Sequence, residues 1–97
     1  MLRRRPRRDY KIMGLDLVEM IYRIEEKFEI TIPDEAAEKM ITPRNVIDYL
    51  MNRPEVGEKW SRDYVSMTIW QIIEDETGVL QKDFNEDSRF IEDMGLD

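Results

Sequence analysis

Among the side chains of this chain that could act chemically are three serines, Ser61, Ser66 and Ser88, and 22 carboxylates. A serine hydroxyl becomes a useful nucleophile beside a base, and the chain has no histidine. No serine–histidine–aspartate arrangement can be built, and the commonest metal ligand is missing as well. Cysteine is also absent, which excludes thiolate nucleophiles, disulfides and cysteine-ligated metals. Paired carboxylates can perform acid/base chemistry when an apolar pocket drives their pKa values apart, but no spacing here sets up such a pair. Ser88 follows Asp87 and superficially suggests a modifiable hydroxyl. Its place ahead of Phe90 and Ile91 predicts that it caps the short turn presenting those two residues. Ser61 and Ser66 belong to a linker and to the helix after it. These residues predict no catalytic site, no metal site and no bound cofactor.

Function must then be exercised through surfaces, and the charges divide the surface in two. Residues 1–12 hold six basic side chains (Arg3, Arg4, Arg5, Arg7, Arg8 and Lys11) against Asp9, a net +5. The other 85 residues hold nine basic and 21 acidic side chains, a net −12. The chain reads as an acidic body with a basic, flexible tail over 1–12. Such blocks can grip a nucleic-acid backbone or an anionic membrane. No aromatic residue is interleaved with these arginines and no nucleic-acid motif follows them, so a solvated arm lying loosely near the acidic body is the plainer expectation.

The elements that must position any surface come from periodicity. Ninety-seven residues support one modest core. Leu17, Met20, Ile21, Ile24 and Phe28 recur at helical spacing and predict a core-facing helix from Leu15 to Glu29. The β-branched run and Pro33 in EITIPD end it, and Asp34 is placed to cap a turn or two of helix over DEAAEKM. Thr42 and Pro43 start a helix to about Asn52, with Val46, Ile47, Leu50 and Met51 on one face. A linker is expected over 53–60, because RPEVGEK sets a proline and a glycine among charges. Ser61 caps the next helix, whose buried stripe is Val65, Ile69, Ile72 and Ile73, and Gly78 suits the position past its end. Trp60, Met67 and Trp70 fill or flank the core. A long connection then carries apolar anchors at Val79, Leu80, Phe84, Phe90, Ile91 and Met94. The seven methionines, Met13, Met20 and Met94 among them, read as plastic core fillers. Nothing reads as a strand, so the predicted class is all-α: a small bundle of three main helices and one or two short ones. No apolar run approaches the ~20 residues that span a bilayer, and the expected location is cytoplasmic.

Two stretches carry a resemblance to a known family. The run IIEDETGVLQKDFNEDSRFIEDMGLD resembles the first helix and long loop of acyl carrier proteins, which end in a phrase like FxEDLGxD just before a serine. The run GLDLVEMIYRIEEKFEITIPDEAAEKMITPRNVIDYL resembles the rest of that family: a second helix, a short third and a fourth. Together the two cover nearly all of the chain except the tail and the linker, and they stand in reversed order. The resemblance implies a circularly permuted acyl-carrier-protein-like domain over 13–97. Residues 13–52 would correspond to helices two to four, 53–60 would join the old termini, and 61–97 would correspond to the first helix and its loop. The repeated MGLD at 13–16 and 94–97 would then converge at one end of the bundle.

In that family the convergence point holds the serine that carries phosphopantetheine. Aligning LDLVEM on the family phrase S-L-D-x-V-E-L puts Gly14 at the serine position, and the second copy stops at Asp97, one residue short. The resemblance therefore implies a lost prosthetic site. Asp93, Met94, Gly95, Leu96 and Asp97 would be its vestigial loop, with no hydroxyl for phosphopantetheine to join. The Asp97 carboxylates would lie near a helix N-terminus, which favours negative charge by about 0.3–1 kcal/mol. It also implies a docking face for basic patches of partner enzymes at Asp16, Glu19, Glu25 and Glu26. The expected function is that of a non-enzymatic interaction or regulatory domain associated with lipid or polyketide-type synthesis. Two alternatives stand beside it. One is a true carrier, modified at an unexpected serine or completed by half-exchange in a homodimer. The other is a binder of anionic membrane or nucleic acid driven by the tail.

Overall fold

The computed structural model describes residues 15–96, with Leu15 described through its backbone alone. Among these residues every regular element is helical: α1 (Leu15–Phe28), α2 (Asp34–Ala37), α3 (Pro43–Met51), α4 (Pro54–Gly57) and α5 (Arg62–Thr77), followed by a 3₁₀ turn at Gln81–Asp83. The predicted all-α class is therefore the observed one.

α1 forms where the apolar stripe predicts it. Leu17, Met20, Ile21, Ile24 and Phe28 are all buried, and Asp16 sits in the first turn and Lys27 in the last, matching the helix dipole. The helix stops because Glu29 turns left-handed (φ 56°), letting the Ile30 N–H reach back to the Glu25 carbonyl at 3.1 Å. The strap that follows buries Ile30 and Ile32 and exposes Thr31, the period-two pattern its β-branched residues favour. α2 begins at Asp34 itself, with Pro33 at the capping position, where the proline carbonyl receives the N–H groups of Ala36 and Ala37. Asp34 is thus the first helical residue and not its cap.

α3 opens with a reciprocal cap. The Asn45 N–H donates to Thr42 Oγ1 (3.2 Å), and the Thr42 N–H donates to Asn45 Oδ1 (3.0 Å). It buries Val46, Ile47 and Leu50 completely and leaves Met51 half-buried. α5 is capped by Ser61, whose hydroxyl accepts the Tyr64 N–H, and it ends at left-handed Gly78 (φ +80°). Its stripe Val65, Ile69, Ile72 and Ile73 is buried, and the helix lies against both α1 and α3. Trp60 and Trp70 are half-buried, but Met67 stands 71% exposed and fills nothing.

The stretch 53–60 departs from the expected linker. Pro54–Gly57 is a helical turn, α4, and Val56 is fully buried beneath it. Gly57 lies so close to α3 that a Cβ there would stand 2.2 Å from the Met51 carbonyl oxygen. Arg53 donates to the Thr31 carbonyl and the Tyr49 hydroxyl, binding this joint to the strap and to α3. After α5 the chain crosses back over the bundle. The Arg44 N–H donates to the Glu86 carbonyl and the Phe90 N–H to the Ile41 carbonyl, both at 2.9 Å. Phe84, Phe90 and Leu96 are buried along this return, whereas Leu80 and Ile91, expected as anchors, are 46% and 51% exposed.

Candidate functional site

The predicted acidic face is only partly where the resemblance put it. Glu19 and Glu26 are exposed and Asp16 is half-exposed, all on the stripe of α1 turned from the core. Arg23 falls on the same stripe, but its guanidinium is drawn sideways to α5, with Nη1 2.7 Å from Glu76 Oε2 and Nη2 3.6 Å from Asp75 Oδ2. The carboxylates of Glu19 and Glu26 thus stand clear of the one cation between them. Glu25 does not belong to this face. It is 1% exposed, and its Oε2 accepts the Ile32 N–H at 2.7 Å. Helical periodicity carries the reason: at about 100° per residue, position 25 lies about 40° from core residue Ile21 and on the far side from Asp16. Its charge is committed to holding the strap, since a buried carboxylate needs such donors.

The loop expected as a vestigial site is a tightly folded turn. The Asp93 carboxylate accepts the Arg89 N–H at 2.8 Å, which is the main reason its pKa is held below the ordinary aspartate value, with the Arg89 guanidinium adding to it. Gly95 is left-handed (φ +74°); there the chain doubles back, with the Gly95 N–H donating to the Ile91 carbonyl and the Leu96 N–H to the Phe90 carbonyl. Met94 is half-buried and Leu96 buried. Ser88 does not cap this turn. Its hydroxyl accepts the Asn85 N–H at 2.9 Å and closes the preceding turn, and Asp93 does the capping instead.

Just ahead of it, a fork of ion pairs fastens the returning chain. Arg44 grips Asp87 through two bonds (2.9 and 3.1 Å) and Glu86 at 3.1 Å, while Arg62 reaches Asp48 (2.8 Å) and the same Glu86 oxygen (3.0 Å). The hydrogen bond from Arg44 lowers the Asp87 pKa. The fork joins α3, the start of α5 and the loop.

Between α1, α2 and this loop lies a hollow of about 230 Å³, which the sequence did not point to. Leu17, Ala37, Met40 and Phe90 form its floor; Ile41 and Ile91, both half-exposed, and the carboxylates of Glu38 and Glu92 form its rim. Two apolar residues spaced 50 apart in the chain give no local signal of meeting. The hollow brings the first turn of α1 and the residues just before the second MGLD together. The meeting point itself, Gly14 with Asp97, lies outside the described residues, as do Met13 and Arg3, Arg4, Arg5, Arg7 and Arg8 of the tail. Among the described residues no three carboxylates gather as a metal site, and no helix is long and apolar enough to cross a membrane. The chain matches no protein-family model and no solved structure.

Proposed function

We propose that this chain is a circularly permuted, acyl-carrier-protein-like interaction or regulatory domain that lacks the prosthetic-group serine and docks on enzymes of lipid or polyketide-type synthesis. The observation that supports it is the fit of the two resembling halves. α5, from the half that would come first in the family, lies against both α1 and α3, from the half that would follow. The joint that a permutation requires is short, helical and packed into the core through Val56. The domain performs no chemistry itself. Glu19 and Glu26, with Asp16, present the acidic face to a basic partner surface, and complementary charges of this kind raise the rate and selectivity of encounter.

Mass spectrometry of the full chain, before and after incubation with coenzyme A and a broad-specificity phosphopantetheinyl transferase, tests the missing cargo. The expected mass is unchanged, and a gain of one phosphopantetheine would overturn the reading. Docking is tested by reversing the two exposed charges, Glu19→Lys with Glu26→Lys. Capture by an immobilised carrier-binding synthase should fall at least tenfold, and equal capture would refute the docking face.

A further inference from the structure

We propose that the groove between α1 and α5, with the aromatic pair beside it, docks an acidic amphipathic helix of a partner protein. The groove, about 330 Å³, lies between Arg23 and Lys27 of α1 and Tyr64, Met67 and Gln71 of α5, over buried Ile72. Its α5 wall is a second stripe of that helix. Val65, Ile69 and Ile73 face the core, and Tyr64, Met67 and Gln71 recur at three- and four-residue spacing on the opposite side. Met67, 71% exposed, is the most exposed large apolar side chain among the described residues. Next to it Trp60 stacks on Tyr64, with ring centroids 4.6 Å apart and planes within 17°, and both rings are half-buried. The Lys59 ammonium stands 6.0 Å from the centre of the Trp60 ring. Solvent-facing aromatic rings and a methionine set together are the side chains that protein interfaces gather.

The charge of the occupant follows from which cations are already paired. Of the nine basic side chains in the body, Arg23, Arg44, Arg53, Arg62, Lys82 and Arg89 hold ion pairs. Lys27, Lys39 and Lys59 form none among the described residues, and two of these three border this one face. Lys39 stands apart, at the hollow between α2 and α3. Glu26, Glu58 and Asp63, the acids adjacent in sequence, do not line the groove. In a body of net −12, this face offers cations without counter-ions, so the complementary partner brings carboxylates. The chain's own residues 1–12, net +5, have the wrong sign. A helix suits the shape, because Tyr64 to Gln71 covers two helical turns, ~10 Å. A groove between two packed helices receives the i, i+4 and i+7 anchors of a third. The inference uses none of Asp16, Glu19 and Glu26 and stands whether or not the docking reading does.

The test is an NMR titration of the full, isotopically labelled chain with a synthetic helix of ~16 residues, built of glutamate and alanine with leucine at i, i+4 and i+7. Amide shifts should concentrate at 23–27 and 59–72, and the Met67 methyl signal should move with them. Lys27→Glu with Lys59→Glu should weaken binding by about tenfold or more, and Lys27→Gln with Lys59→Gln, which adds no repulsion, by about threefold. Lys27 and Lys59 are both exposed, so neither pair of substitutions empties the core. A peptide of the same charge without the leucines should bind about tenfold more weakly than the amphipathic one. Equal binding of the two peptides would overturn the proposal, as would unchanged affinity in both lysine variants or no shift at ~1 mM peptide. Shifts centred on residues 1–12 would overturn it by giving the peptide to the tail. Concentration-dependent shifts of the same face without peptide would overturn it by giving the groove to a second copy.

Discussion

Glu25 shows what a single side chain can do at a helix end. Its carbonyl accepts the Ile30 N–H and its carboxylate the Ile32 N–H, so one residue fixes both the stop of α1 and the course of the strap. Removing the acceptor of a buried N–H costs about 1–3 kcal/mol. Glu25→Ala should therefore lower the unfolding free energy measured in urea by that amount, and Glu25→Gln, which keeps an acceptor oxygen, by less; equal losses would contradict the assigned bond. Position 25 could have been read from the sequence by laying the helix on a wheel, where it falls beside Ile21; its acidic neighbours drew it onto the wrong face. Asp87 and Asp93 make a second case, because both carboxyls have folded pKa values held below the unfolded aspartate value of 3.8. A lowered folded pKa means that their contribution is complete above the unfolded value and is lost as pH falls through the folded ones. NMR titration should place both midpoints below 3.8, with the 85–93 turns loosening only under more acid conditions; a midpoint at or above 3.8 would contradict it.

Among the elements, the long helices were legible because each states its own signal several times over. Stripe, cap and stop agree at α3 and α5, and Thr42, Ser61 and Gly78 all act as their residue types predict. α4 was hidden because a four-residue helix cannot show a period, and its one apolar residue, Val56, lies among Arg53, Glu55, Glu58 and Lys59. The course of 79–96 was unreadable for a related reason: it is held by single long-range bonds, such as Phe90 N–H to the Ile41 carbonyl, which no local pattern records. α4 carries a sharp expectation. A methyl group at position 57 would meet the Met51 carbonyl at 2.2 Å, and backbone on both sides leaves little room to yield. Gly57→Ala should destabilise the protein by about 1–3 kcal/mol in urea; a neutral result would mean that the α3–α4 contact is looser than described.

The whole molecule owes its class to composition and its arrangement to the joint. With 41% hydrophobic and 38% charged residues and no strand pattern, an all-helical body was readable in advance. The hollow was not, because its walls come from three separate stretches. Half-exchange between two copies would require residues 53–60 to leave their places, exposing Val56 and breaking the bonds of Arg53 to Thr31 and Tyr49. Native mass spectrometry at micromolar concentration should accordingly show a monomer, and a stable dimer would point to an opened joint. The joint also decides where the chain can be lengthened. Leu80, Gln81, Lys82 and Asp83 all stand exposed and the 3₁₀ turn there buries nothing, so an inserted peptide would project into water. At 54–57 the same insert would have to lift Val56 out of the core, so a graft tolerated at the corner after α5 would unfold the protein when placed between α3 and α5.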